Sequence, residues 1–556
     1  MQSLEQEIAN IERELEDLNR QSVPTTSGVS RKFSSASLSQ QATTAVPFDN
    51  VVSPPCINTA KRTFDNVFFI YTPAGLTTRY HGSSSIFSLT VEVLARAAAS
   101  SFYQPTQAAD APPASSGAML SELGIIKSAA ITGVSRDTIQ SLIEHYMSSI
   151  NLTYPIIDEG ALQADLDAYF SIIATPAFDS AKLKGLEAYQ CFRISMLCSI
   201  ACANKSRHQK NLRSHGDNFY SQATKCVEEI TSAVTSQSLQ ALILLVIYCL
   251  FFPQKGNVWK LLDFACRLSI ELGYHTEQHL ELEDEGQQIL RRKTFWCLYT
   301  IERMMGQFFG RPSDLPDAII TTELPRISSQ TPGAPQPGTV HRLMKLRSGI
   351  YNYLYLSTAI PLYDNNWVTE QYTSLIQLFQ ESEEDAASNS PINIDSHIAF
   401  HSSVIFLLQP GILQALSHLE NEEPLSALPI ESYISACELI QTYRKILQAS
   451  DPNSEFLSHP ITLLSAYTIW VAAMTLMAHC MISIDGEKAR VSLQHRRGSQ
   501  RISQQIDYSN VFELSGSCLI LLAWCGERWE GMHEMMDTYQ RLSQRLLPEL
   551  VHRGIY

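Results

Sequence analysis

Two short stretches place nucleophile-type and metal-ligand-type side chains together: HGSSS at His81–Ser85 and HTEQH at His275–His279. The first sets a base beside a hydroxyl, the pairing that nucleophilic catalysis needs. It also stands at a helix start, where serines accept hydrogen bonds from exposed backbone amides, and capping is the reading that position favours. The second sets two histidines four apart, a spacing that on a helix would aim both imidazoles at one zinc ion. It follows Gly273, a residue suited to the left-handed position after a last helical turn, so the pair falls in a loop without a third ligand. His208 and His215 likewise make only a pair. Cys191, Cys198 and Cys202, spaced by seven and four, fall along one helical face and act there as small apolar residues. The sequence contains no G-x-S-x-G elbow, phosphate loop, H-E-x-x-H helix or dinucleotide fingerprint. The chain therefore reads as a non-enzyme with no resident metal.

The elements that must carry these residues are helices. Trp259, Leu262, Cys266 and Ile270 recur at helical spacing before Gly273, and Phe295, Leu298, Tyr299 and Met305 line much of one side of a later helix. Stripes of this kind are core faces before they are ligand pockets. The best strand candidate is VFFIY at Val67–Tyr71. Residues 22–60 are rich in Ser, Thr, Gln and Pro, a composition that buries too little apolar surface to order and predicts a flexible linker. ISSQTPGAPQPGT at Ile327–Thr339 breaks the helices with Pro and Gly, ESEEDAASNSP at Glu381–Pro391 is an acidic loop, and the break near Asp485–Gln505 is basic. The expected architecture is all-α. It is a large array of antiparallel helix pairs in two lobes, 61–326 and 340–556, after a short coiled-coil helix over 1–21 and the linker.

With 41 Lys and Arg against 56 Asp and Glu, the net charge of −15 leaves the body without the basic patch that phosphate contacts require. DNA is expected to be reached only indirectly. The first residues are acidic and polar, unlike a signal peptide. No uncharged apolar run is expected to reach the ~20 residues of a membrane helix; Ala241–Phe252 is short and ends at Pro253. The scattered cysteines fit a reducing compartment.

Leu4, Ile8, Ile11, Leu15 and Leu18 alternate spacings of four and three, a heptad seam. Glu5, Glu12, Glu7 and Glu14 flank that seam, so a parallel homodimer would face acid against acid, which selects for a basic partner helix. A lone amphipathic helix is the alternative, since short isolated helices are marginal.

Arg291–Pro325, RRKTFWCLYTIERMMGQFFGRPSDLPDAIITTELP, orders charged and aromatic residues as a generic helix does not require. It resembles the signature of the regulatory domain of fungal transcription factors of the binuclear zinc-cluster family. The positions that carry the likeness are Arg291, Arg292, Trp296, Tyr299, Glu302, Arg303, Gly310, Arg311, Pro312 and Asp317, with Glu302 where the family usually has Asp. Further likeness runs from Arg79–Phe87 through the Tyr154–Ile157 turn and Ser238–His275 to Cys518–Leu542. The resemblance implies a nuclear transcriptional regulator with a protein partner, such as a DNA-bound transcription factor, and room for a small-molecule effector. The alternative is a ligand- or protein-binding scaffold without a promoter role. The family's zinc cluster needs six closely spaced thiolates near the N-terminal side, whereas Cys56 alone precedes Cys191 here. The DNA-binding module is therefore expected to be lost or truncated, and no zinc is expected in this chain.

Two expectations concern charge. Glu302 and Arg303 lie in an otherwise apolar helix and must be paired if buried, with Arg311 and Asp317 as nearest partners in sequence. Arg496 and Arg497 precede Ser499 in the basic break, the pattern that basophilic kinases read, making Ser499 a candidate phosphorylation site.

Overall fold

A computed structural model describes residues 68–71, 78–99, 134–175, 178–278, 284–325, 338–356, 365–384, 391–417, 428–451, 454–484, 490–491, 508–529 and 531–553. The coiled-coil seam, the linker and Ser499 lie outside the described residues. Helices dominate. The expected strand is present as β1 (Phe68–Tyr71), paired antiparallel with β2 (Thr78–His81), with Phe68 opposite His81. One two-residue parallel pair, β3 (Leu428–Pro429) with β4 (Arg490–Val491), is the other strand contact described.

The first helices are α1 (Ile86–Ala99), α2 (Arg136–His145), α3 (Leu162–Ile173), α4 (Gly185–Lys205), α5 (Leu212–Thr224), α6 (Ser236–Phe251) and α7 (Val258–Glu271). Short connections turn successive helices back on one another, and α4 packs on α5 as α6 packs on α7. After α2 the chain runs through a π-helical turn, Tyr146–Ile150, into the Tyr154–Ile157 turn. Asn151 closes that turn by accepting from the Ile156 and Ile157 amides at 3.2 and 3.1 Å. Cys191, Cys198 and Cys202 are buried on α4.

The signature helix is α8 (Glu285–Phe309), started by Asp284, whose carboxylate accepts from the Gln287 amide at 2.8 Å. After it come α9 (Thr339–Leu354), α10 (Asn365–Glu384), α11 (Pro391–Ser417), α12 (Glu431–Gln448), α13 (Leu463–Ile484), α14 (Val511–Arg528) and α15 (Met532–His552). One hydrophobic core runs from Ile86 through Phe295 and Trp470 to Leu550, so helices on both sides of the 326–337 break share it. A second cluster, built on Leu343, Ile350, Leu375 and Leu407, holds α9, α10 and α11 together.

Two expectations change here. From Thr294 to Phe308 the signature helix is buried on more than its apolar stripe, including Trp296, Cys297, Ile301, Glu302 and Arg303. Its polar residues must then find partners inside. Ile394–Ser417 and Leu463–Ile484 are long and apolar enough to cross a membrane, contrary to the expectation from shorter runs, but 78% and 83% of their apolar windows are buried inside the fold. They are core helices with neighbours on every side.

On α11, the Asp395 carboxylate accepts from the Thr153 hydroxyl at 2.9 Å and lies 3.8 Å from His459 Nε2. Burial pushes the Asp395 carboxyl up to about 7, against the opposing pull of the Thr153 hydrogen bond. The folded chain thus keeps a proton between about pH 4 and pH 7 that an unfolded carboxyl has lost. Stability is unpenalised below about pH 4 and falls as pH rises to about 7. Asp395→Asn should therefore stabilise the protein by about 3 kcal/mol at pH 8 and change little at pH 4. Urea unfolding of both proteins at the two pH values tests this, because titrating groups that do not interact with Asp395 cancel in the difference. An equal difference at both would show that the carboxyl is not the cause.

Candidate functional site

The signature folds as a helix and a returning loop, 311–325, and the residues that define it are the ones that join the two. Trp296 Nε1 donates to the Glu323 carbonyl at 2.9 Å, and the Tyr299 hydroxyl donates to Asp317 Oδ1 at 2.8 Å. Each aromatic residue therefore contributes apolar area to the core and spends its polar atom on the loop. Arg303, 2% exposed, lies between them with its guanidinium 4.3 Å from the Tyr299 ring centre. It pairs with Glu302 and, at 3.1 Å, with Asp317, and it donates to Ser313, to the Leu315 carbonyl and to Ser348 Oγ at 3.0 Å.

Glu302 is matched as fully. Its oxygens accept from the Asp314 amide at 2.9 Å and the Ser313 hydroxyl at 3.0 Å as well as from Arg303. Burial holds its carboxyl above the usual range, with Arg303 opposing. Burial pushes Asp317 upward too, but Arg303 and the Ser348 and Tyr299 hydroxyls outweigh it and hold that carboxyl below the usual range. Ser348 on α9 donates to Asp317 Oδ2 at 2.6 Å, which extends the network to the next helix.

The basic start of the signature works on the preceding helix. Arg291 donates to the carbonyls of Leu272 and Gly273, at 3.2 and 2.6 Å, just past the end of α7. Arg292 grips Glu277 with two bonds, 3.0 and 2.5 Å, and the same carboxylate accepts from the Thr322 hydroxyl and the Glu323 amide. The working residue of the HTEQH stretch is thus its glutamate, which anchors the far end of the returning loop. Its described part, His275–Gln278, is non-helical, and the His275 carbonyl accepts from the Thr321 and Thr322 amides at 2.9 and 3.1 Å. Gly273 takes φ +72°, as expected after a last turn.

Gly310 ends α8 with φ +67° and ψ 36°. The Arg311 amide donates back to the Gly306 carbonyl at 2.9 Å and the Gly310 amide to Gln307 at 3.3 Å, the paired bonds of a Schellman turn. The backbone of Gly82 crosses here, and a Cβ added to Gly310 would lie 2.4 Å from the Gly82 Cα. The Gly82 amide donates to the Phe309 carbonyl at 3.1 Å, and the Ser84 hydroxyl to Gln307 at 2.9 Å. HGSSS is therefore a docking segment, with Ser85 Oγ capping the Phe87 amide at 3.2 Å. Arg311 lays its guanidinium 4.2 Å from the Trp259 ring centre, tying the turn to α7, while Asp317 joins Arg303. Pro312 is exposed just past the turn, where the helix cannot continue.

Sequence reasoning passed over Glu277, Ser313 and Ser348. Glu277 had a signal, since two arginines need acceptors; the serines had none. It also passed over a His397, His401 and Glu438 group whose donor atoms lie within 4.8 Å of one another. A tetrahedral ion with bonds of about 2.1 Å needs donors about 3.4 Å apart, so the group is too open to grip one as it stands. Each imidazole meets a hydroxyl through Nδ1, His401 with Ser435 at 3.1 Å and His397 with Thr442 at 3.4 Å.

The signature is thus a buried lock between α8 and its returning loop. Residues 143–390 match the family model described as the fungal specific transcription factor domain. The chain is similar to Pyrimidine pathway regulatory protein 1 of Saccharomyces cerevisiae, 35% identical over 108 residues, which are 19% of this chain and 12% of that protein. It is similar over a longer span to Protein STB5 of the same yeast, 22% identical over 460 residues, 76% of this chain and 56% of that one. Positive regulator of purine utilization of Emericella nidulans is 28% identical over 120 residues, 16% of this chain and 11% of that one. The chain thus spans about half or less of these relatives' own length.

Proposed function

We propose that this chain is a nuclear transcriptional regulator whose helical domain acts through a DNA-bound protein partner. The observation that carries the reading is the family match over 143–390 together with the lock it contains, in which Trp296, Tyr299, Glu302 and Arg303 all spend their polar atoms inside the fold. Relatives named as pathway regulators support the same class, which is one of transcriptional regulators and not of enzymes. Indirect contact with DNA is supported by the net charge of −15, which repels a phosphate backbone.

Fusing residues 60–556 to a foreign DNA-binding domain should shift a reporter severalfold, up or down, relative to that domain alone. Equal output from an expressed, nuclear fusion would overturn the regulatory reading. Purified chain should leave DNA unshifted in a low-salt gel titration, where non-specific binding is strongest. Sequence-selective retardation would replace the partner by direct contact.

A further inference from the structure

Arg347, on α9, is 2% exposed and has only neutral partners. Its Nε donates to Gln307 Oε1 at 2.7 Å, one terminal nitrogen donates to Ser402 Oγ at 2.9 Å, and its plane lies 4.4 Å from the Phe406 ring centre. No carboxylate among the described residues pairs with it. Burial lowers its pKa to about 10, with the Tyr355 hydroxyl opposing, so it remains a cation at neutral pH.

The neighbours of Arg347 are donors as well. Gln307 gives its acceptor end to Arg347 and keeps a buried Nε2 with no acceptor among the described residues, and the same holds for the buried Nε2 of Gln409. These side chains are 1% and 3% exposed. Buried donors without acceptors are rare in folded proteins, and a buried cation without an anion is costly. Here all three line one cavity. The cavity leaves about 20 Å³ for the centre of a water molecule, within a hollow of about 360 Å³ that includes open solvent. Its walls include Phe308, Ile405 and Val471. Pro410 interrupts α11 beside it, and the Phe406 carbonyl, which a helical amide at that position would have satisfied, accepts from the Tyr355 hydroxyl at 2.9 Å.

We propose that this cavity binds a small aliphatic monocarboxylate, with its carboxylate on Arg347 and the free amides of Gln307 and Gln409 and its carbon tail against the apolar wall. A ligand with only donors, such as an amine, would repeat the mismatch. A neutral water would accept from one or two of the donors and leave the charge unpaired. A carboxylate offers about four lone-pair sites and the opposite charge. The hollow continues to open solvent, so a carboxylate seated at Arg347 would leave a short tail along the apolar wall. Binding is a property of the folded chain and holds whether or not the protein acts at promoters.

Full-length protein titrated with sodium propionate at constant ionic strength should show a saturable rise in thermal midpoint, because a ligand bound only by the folded state stabilises it in proportion to ln(1 + [L]/Kd). Calorimetry should report one site. Arg347→Met, a change of similar volume that relieves the buried charge, should weaken binding by about thirtyfold or more. Gln409→Leu keeps the cation and should weaken it less, which preserves a test should Arg347→Met fail to fold. An unsaturable response in wild type, or equal affinity in wild type and both variants, would overturn the site. Equal stabilisation by sodium chloride, lost in the same variants, would overturn the carboxylate assignment in favour of a halide. Reporter output is not used as the readout, so failure of the transcriptional reading would leave the binding result standing.

Discussion

Gly310→Ala should lower stability by about 3–5 kcal/mol, while Gly531→Ala should cost only about 1–2 kcal/mol. Both glycines sit in the left-handed region, with φ +67° and +89°. Both substitutions therefore carry the strain of placing an L side chain there. They differ in what the new methyl meets. At Gly531 nothing lies within 4 Å, whereas at Gly310 the Gly82 backbone lies at 2.4–2.6 Å. No rotamer change relieves a backbone collision, so α1 and its hairpin must retreat and the Gly82 to Phe309 hydrogen bond is lost. Urea midpoints and slopes for the two variants are the measurement. Equal costs would mean that the crossing is looser than the structure shows. Faster amide exchange at Gly82 in the Gly310 variant alone would locate the damage at the crossing.

That crossing also shows how far sequence reaches. The left-handed character of Gly273 follows from residue type and from its place after an apolar helix, as does the helical character of nearly every segment between polar breaks. The closeness of Gly82 to Gly310 does not follow, because it joins positions 228 residues apart with no pattern linking them. The ion network divides in the same way. Glu302, Arg303 and Asp317 could be grouped because charges in an apolar helix demand partners. Arg311 was grouped with them by proximity in sequence, yet its guanidinium is found over Trp259, a contact fixed by how α7 and α8 pack. Membrane-length helices were passed over because the apolar run was sought in α6, whereas Leu463–Ile484 dilutes its apolar residues with Ser, Thr and His that the core can satisfy.

Beyond the contact of Thr300 with His341 at 3.1 Å, two adjacent sets of polar contacts join α8 and α9. Arg303 meets Ser348, and one helical turn on, Gln307 meets Arg347. The first set clamps the returning loop, and the second faces the cavity. Any movement of α9 relative to α8 must strain both, so the loop lock and the cavity are mechanically joined through two neighbouring residues.

Removing the cation from the lock tests how much the arrangement depends on it. Arg303→Met should destabilise the protein by about 3–5 kcal/mol, because Glu302 then remains buried without its counter-charge. Its carboxyl, already held above the usual range by burial, would take up a proton, and the Asp314 and Ser313 contacts made to the anion would weaken. Glu302→Met in the same background should recover about 2 kcal/mol or more of that loss, since an apolar pair of similar volume no longer needs desolvated charges. The cycle of two single variants and one double variant, followed by urea unfolding, gives the coupling directly. An exposed ion pair would instead show a coupling of at most ~1 kcal/mol and additive single costs, and that result would mean that the signature's acidic-Arg pair does not lock the loop. Hydrogen exchange supplies the structural counterpart: the amides of Asp314 and Leu315 should open faster in Arg303→Met, while those of Thr322 and Glu323, held by the His275 carbonyl and the Glu277 carboxylate, should keep their protection.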